Sequence, residues 1–377
     1  MMKKIVSLLL VATMAMSLVA CGGAKEEQTE APAAAATEEA APAEEAATEE
    51  AATEEAAPAE EAAADYSEIK IGIVTDVGGV NDGSFNQSSW EGLTRASEDL
   101  GVQVKYLESK TDADYAPNIE TFIDEEYDLI ICVGFMLADA TRAAAEANPD
   151  QKFAIIDDAS IDLPNVTCLM FKQAQASYLV GYVAGLTTES NTTGFVLGMA
   201  TEVMHQFGYG YVAGVLDANP DAKVLQQNAN SFGDTAIGKS AATAMVTNGA
   251  DVIFHAAGGT GLGTIEGCTE AGIWAIGVDS DQSLLAPETI LTSAMKRVDN
   301  ACYDAAKNVC EGTLEAGVKT YDLSTAGVDI APTTTNLDAE VLKAVEEVKA
   351  KIIAGEIVVP ETQADFEAKY GDVYELD

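Results

Sequence analysis

From Ile69 onward the chain alternates short apolar runs with longer amphipathic stretches, joined by brief polar connections. The apolar runs are Ile69–Thr75, Val102–Leu107, Leu129–Val133, Phe153–Asp157, Val166–Phe171, Gly194–Met199, Val224–Asn228, Val252–Ala256, Trp274–Asp279 and Ile290–Ala294. Each has the length of a strand, and their near-continuous apolar character predicts burial on both faces. Between them, segments such as Phe85–Leu100, Ala174–Thr187, Thr235–Asn248 and Ala301–Leu314 read as helices. Strands alternating with helices predict an α/β fold built on parallel sheets. So many strands exceed one comfortable sheet, so the expected architecture is two doubly wound, Rossmann-like lobes.

The front of the chain has a different pattern. Lys3 and Lys4 precede an apolar stretch, Ile5–Val19, which is short for a membrane span and reads as a signal peptide over residues 1–20. Leu18-Val19-Ala20-Cys21-Gly22 matches the bacterial lipobox, which predicts cleavage before Cys21 and lipid on that cysteine. Acyl chains then hold the protein to a membrane, since each buried methylene contributes about 0.8 kcal/mol. Residues 21–65 follow as an Ala, Glu, Pro and Thr-rich tether in which TEEAAPAEEAA occurs at Thr37–Ala47 and again at Thr53–Ala63. Pro42 and Pro58 interrupt its helical tendency and like charges repel, so an extended spacer reaching on the order of 40 Å is expected.

The 377 residues carry a formal charge of −42, made up of +2 in residues 1–20, −14 in residues 21–68 and −30 in residues 69–377. A body this acidic repels phosphate backbones, which disfavours nucleic-acid binding and electrostatic docking on anionic membranes. Five cysteines remain beyond Cys21, without CxxC spacing, and predict neither a disulfide framework nor a zinc site. Cys302 and Cys310 would lie about 12 Å apart along one helix, too far to bridge.

In open parallel sheets, ligands bind beyond the carboxyl ends of the strands. Four clusters stand there. The first, Thr75–Gln87, offers Asp76, Asn81, Asp82 and Phe85, with Ser84 and Gln87 spaced as a capping box. Its bland alternative is a turn with Phe85 as a core anchor. The second is Asp157-Asp158, whose default is a solvated pair. The third, Ala257–Gly263, includes Gly258 in a glycine-rich turn that lacks the GxGxxG or Gly-Lys-Ser/Thr spacing of a phosphate loop. The fourth is Gly277–Gln282, where Asp279 or Asp281 suits the hydroxyls of a ribose, followed by Lys296, either a ligand contact or a surface cation. His205 and His255 have no metal-binding spacing, and no GxSxG elbow is present, so neither a zinc centre, another cofactor nor an enzyme is expected.

The first cluster, Ile71–Gln87 with Trp90-Glu91-Gly92, closely resembles the opening motif of the basic membrane protein family, nucleoside-binding lipoproteins of ABC transporters. The resemblance continues through Gln175–Gly185, Phe207–Gly214, Ser231-Phe232, Ala257–Gly263, Gly277–Gln282 and Thr292–Asp299, covering most of residues 69–360. It implies a type I periplasmic-binding-protein fold: a substrate-binding body, residues 66–377, whose lobes are joined by a hinge. Lobe 1 is expected at about 69–172 plus 295–322, and lobe 2 at about 173–290 plus the C-terminal segment. By resemblance, Phe85 and Phe232 stack on the base, and Asp76, Asn81, Asp82, Asp157, Gly258, Asp279 and Lys296 supply polar contacts. Thr201–Gln206 departs from the family pattern, so no contact is carried over there. The implied partners are a nucleoside, the permease and ATPase subunits of an ABC importer, and a membrane reached through the lipid anchor, with the body itself a monomer.

Overall fold

The structure, a computed structural model, describes residues 65–376. The signal segment, Cys21 and nearly all of the tether lie outside the described residues. The apolar runs become two parallel sheets. The first contains β1 (Lys70–Val74), β2 (Gln103–Leu107), β3 (Leu129–Cys132), β4 (Lys152–Ile156) and β5 (Val166–Phe171), side by side in the order β2-β1-β3-β4-β5. The second repeats this layout with β6 (Thr192–Leu197), β7 (Lys223–Asn228), β8 (Val252–Ala256), β9 (Trp274–Asp279) and β10 (Ile290–Lys296), ordered β7-β6-β8-β9-β10. Each gains a sixth strand: β11 (Gly317–Tyr321) runs parallel to β5, and β12 (Val328–Ile330) antiparallel to β10.

Helices cover both faces of both sheets. The first lobe uses α1 (Phe85–Leu100), α2 (Tyr115–Asp124), α3 (Ala138–Ala147) and α8 (Val298–Cys310). The second uses α4 (Gln173–Thr187), α5 (Glu202–Ala218), α6 (Thr235–Thr247), α7 (Gly258–Ala271) and α9 (Ala339–Ile353), with α10 (Gln363–Tyr370) against α5. The period-2 alternation of a strand divides its side chains between the two coverings. In β4, Phe153 and Ile155 pack with Ile119 and Phe122 of α2, while Ala154 and Ile156 join the core that holds Leu93 of α1 and Ala305 of α8.

The chain crosses between lobes after β5, after β10 and between β11 and β12. The second lobe therefore keeps β10 through Lys296, and the return to the first lobe falls at Arg297. At the first crossing the chain enters α4, which is apolar on almost every side and packs backbone to backbone on α5. A Cβ at Gly181 would stand 2.2 Å from the Tyr211 carbonyl oxygen, and one at Gly214 would stand 2.1 Å from that of Tyr178. The glycines of the GYVAG repeats thus serve helix packing.

Two differences from the sequence reading have local causes. The helix expected over Ala301–Leu314 runs Val298–Cys310, because Gly312 turns left-handed (φ 69°) just beyond it. The strands β11 and β12 were not expected: β11 is an edge strand with alternate residues exposed, and β12 is three residues long, so neither has an apolar run. The cysteines at 132, 168, 268, 302 and 310 are free thiols.

Candidate functional site

The carboxyl ends of both sheets face each other across a cavity whose empty space, open mouth included, is about 500 Å³. Asp76, Asp82, Phe85, Asp157, Phe232, Gly258, Asp279 and Lys296 all line it. Asn81 does not: it is exposed, outside the cavity lining.

The loop after β1 is built around Asn86. Its side-chain amide donates to Asp76 Oδ1 (2.7 Å) and Asp82 Oδ2 (2.9 Å), and its Oδ1 accepts from the Asp76 N–H (3.1 Å). Asp82 also accepts from the backbone N–H groups of Ser84, Asn86 and Gln87. The capping box expected of Ser84 and Gln87 is therefore replaced: Asp82 satisfies the free N–H groups at the start of α1, and a carboxylate there also suits the helix dipole. Both Asp82 oxygens are occupied by this internal network. Asp76 Oδ1 is similarly held by Asn86 and the Gly78 N–H (2.8 Å), while burial pushes its carboxyl up to about 6.

The Ser84 hydroxyl, released from capping, donates across the cleft to Asp279. Burial raises the Asp279 carboxyl to about 7, against the opposing pull of nearby Lys296. In the other direction, Lys296 donates to Asp157. Lys296 is 2% exposed, which excludes the surface-cation alternative. Its ammonium also lies 5.0, 5.3 and 5.4 Å from the ring centres of Phe85, Phe171 and Phe207, so the pair is enclosed by aromatic faces that favour a cation. The remaining Asp157 oxygen, Oδ1, is buried without a hydrogen-bond partner.

The neighbouring carboxylates turn away. Asp158 accepts from the backbone and hydroxyl of Ser160, and Asp281 from the N–H groups of Ser283 and Thr333. Aromatic walls come from both lobes: Phe85 and Phe135 from the first, Phe207 and Phe232 from the second, with Phe135 edge-on to Phe232 at 6.3 Å. Gly134-Phe135-Met136, Met204, Phe207 and Asn86 were missed by sequence reasoning. Gly134-Phe135 stands directly after the run Leu129–Val133, and as a glycine and an aromatic at a strand end it was the signal that could have found this wall.

Residues 69–363 match the sequence profile of the family described as Bmp, ABC transporter substrate-binding protein PnrA-like. The chain belongs to this family. A nucleoside-binding protein of an ABC transporter from Lactococcus lactis, BmpA, is 38% identical over 78% of this chain and 90% of its own. A CD4+ T-cell-stimulating antigen of Listeria monocytogenes is 40% identical over 78% of this chain and 88% of its own. Among solved structures, an ABC transporter solute-binding protein from Aeropyrum pernix superposes with a TM-score of 0.74 at 29% identity, covering 81% of this chain and 98% of that one. As a Bmp-family member with the type I periplasmic-binding-protein fold, the chain is a transporter substrate-binding protein and not an enzyme. Among the described residues no group of three or more His, Cys, Asp and Glu side chains is placed to hold a metal ion, and no helix is long and apolar enough to cross a membrane.

Proposed function

We propose that this Bmp-family protein captures a neutral purine nucleoside between its lobes and presents it, closed, to a membrane permease, while lipid on Cys21 and the acidic tether hold it at the outer face of the membrane. The observation that carries the ligand class is the balance of the cavity wall. Four carboxylates, Asp76, Asp82, Asp157 and Asp279, face one ammonium, Lys296, which is already paired. A phosphate added to such a site meets repulsion without a free cation, whereas ribose hydroxyls and base N–H groups supply donors to the oxygens left open, the unpartnered Asp157 Oδ1 above all. Phe85 and Phe232 line the cavity from opposite lobes, and stacking of a planar base between them would be tolerant of base identity. The Lactococcus relative named for nucleoside binding supports the same reading.

Thermal shift and calorimetry with guanosine, adenosine, inosine, ribose and guanosine monophosphate test it. Nucleosides should raise the unfolding temperature, with little response to ribose or the monophosphate. Phe232→Ala and Phe85→Ala should each weaken nucleoside binding by about 1–3 kcal/mol while leaving the circular dichroism spectrum unchanged. A response to sugars alone removes the ligand assignment, and full affinity in both variants removes the stacking model.

A further inference from the structure

Behind the cavity wall, outside its lining, Gln282 occupies a single helical turn after β9 and is 2% exposed. Its Oε1 accepts from the Val278 N–H (3.0 Å) and faces His255 Nε2 at 3.1 Å. Its Nε2 donates across the cleft to the Gly83 carbonyl in the first lobe, at 2.9 Å. Two backbone groups thus assign the amide without reference to the histidine, because an N–H requires the oxygen and a carbonyl requires the NH₂. His255 must then carry its proton on Nε2. Its Nδ1 is buried without a partner, against Gly261, where a Cβ would stand 2.0 Å from it. Burial holds the imidazole neutral, with its pKa lowered to about 4. Gly277 completes the seat, since a Cβ there would come within 2.5 Å of both Gln282 Oε1 and Ser293 Oγ, and Ser293 Oγ accepts from the Gln282 N–H.

The second lobe therefore holds one amide in one orientation with a buried histidine, one backbone N–H and a glycine. The bond this amide makes outside that lobe goes to the mouth of the helix bearing Phe85. We propose that Gln282 is a closure latch: a positioning residue that stabilises the closed arrangement of the lobes by bonding Gly83, without belonging to the ligand cavity. Opening separates Gln282 from Gly83 and leaves every other bond of the amide intact, so the latch acts on the closed state alone. It goes beyond the nucleoside reading and requires only that the lobes close.

Gln282→Met keeps the bulk and deletes the amide. With guanosine as the probe, stopped-flow dissociation should become about threefold to tenfold faster with an unchanged association rate. Nitroxides on Glu98→Cys and Thr243→Cys, exposed on opposite lobes, should report a distance distribution shifted toward open. Unchanged dissociation with an unchanged distribution overturns the latch. Because Gln282→Met leaves His255 without its partner, the double variant His255→Leu/Gln282→Met serves as the folding control, and it must show the same fast dissociation; wild-type kinetics in it also overturn the proposal. If guanosine does not bind the unsubstituted protein, the nucleoside reading fails, and the ligand-free distance distribution alone decides the latch: shifted supports it, unchanged overturns it.

Discussion

Asp157 and Asp279 hold corresponding places in the two lobes. Each directly follows or ends the fourth strand of its sheet, β4 in one lobe and β9 in the other, and each has a left-handed backbone, with φ of 64° and 66°. That conformation costs about 1–2 kcal/mol for a residue with a side chain. Its repetition at both strand ends, with both carboxylates lining the cavity, ties it to the site. Their partners differ. Asp157 meets the ammonium of Lys296, so its charge is matched within the protein. Asp279 meets the Ser84 hydroxyl, and burial lifts its carboxyl to about 7. Matching positions in a duplicated architecture thus become one carboxylate paired with an internal cation and one carboxyl poised between charged and neutral.

Breaking the matched pair should have the larger effect. Lys296→Met removes the ammonium from among three aromatic rings and leaves Asp157 buried without its cation. Removing one partner of a buried pair costs about 3–5 kcal/mol, which urea unfolding of the ligand-free protein should register as a lower midpoint at constant slope. The double variant Asp157→Asn/Lys296→Met should recover much of that loss, because the stranded charge is gone. If Lys296→Met alone unfolds at the wild-type midpoint, the pair is not the internally balanced ion described here.

The two partners were unequally legible in the sequence. Apolar runs located every central strand, because such strands are buried on both faces, and the strand-end rule then brought Asp76, Asp157 and Asp279 into view. The edge strands β2 and β7 still showed runs although none of their residues is fully buried, whereas β11, with alternate residues exposed, and β12, buried but three residues long, stayed hidden. Phe232 came from family resemblance: it lies between β7 and α6, in a loop with no periodic signal. The pairings were out of reach. Ser84 reads locally as a cap, and only a contact 195 positions away shows its hydroxyl committed to Asp279, with Asp82 capping in its place. Likewise Asn81 reads like its neighbours, and only tertiary structure turns it outward while bringing Asn86 between two carboxylates.

A pH titration sharpens the comparison at the second carboxyl. A folded-state pKa of about 7 for Asp279 exceeds the ordinary value of 3.8, so between those limits the folded state holds a proton that the unfolded chain releases. Its contribution to stability is complete below about pH 4 and is lost as pH rises through 7. Asp76, at about 6, acts in the same direction over a narrower window. Buried His255, held neutral with its pKa lowered from 6.5 to about 4, opposes this trend below about pH 6.5, so thermal unfolding of the ligand-free protein should decline most clearly from pH 6.5 to 8, and Asp279→Asn should flatten that decline. An equally steep decline in the variant would mean that Asp279 is not the group that titrates.

Ser84→Ala should give the smallest effect and separates the hydroxyl from the carboxyl it serves. The Ser84 hydrogen bond favours the ionised form of Asp279, one of the pulls that oppose burial. Deleting it moves the Asp279 pKa further upward, so the decline in stability should shift to higher pH, the opposite of its disappearance in Asp279→Asn. At pH 5, where Asp279 is protonated in either protein, the variant should differ from wild type by no more than about 1 kcal/mol, the net worth of one neutral hydrogen bond. At pH 8 the gap should widen, because the ionised carboxylate then loses a donor that no neighbour replaces. A gap that is constant across the range would place Ser84 in the packing of the cleft and take from it any part in holding the charge on Asp279.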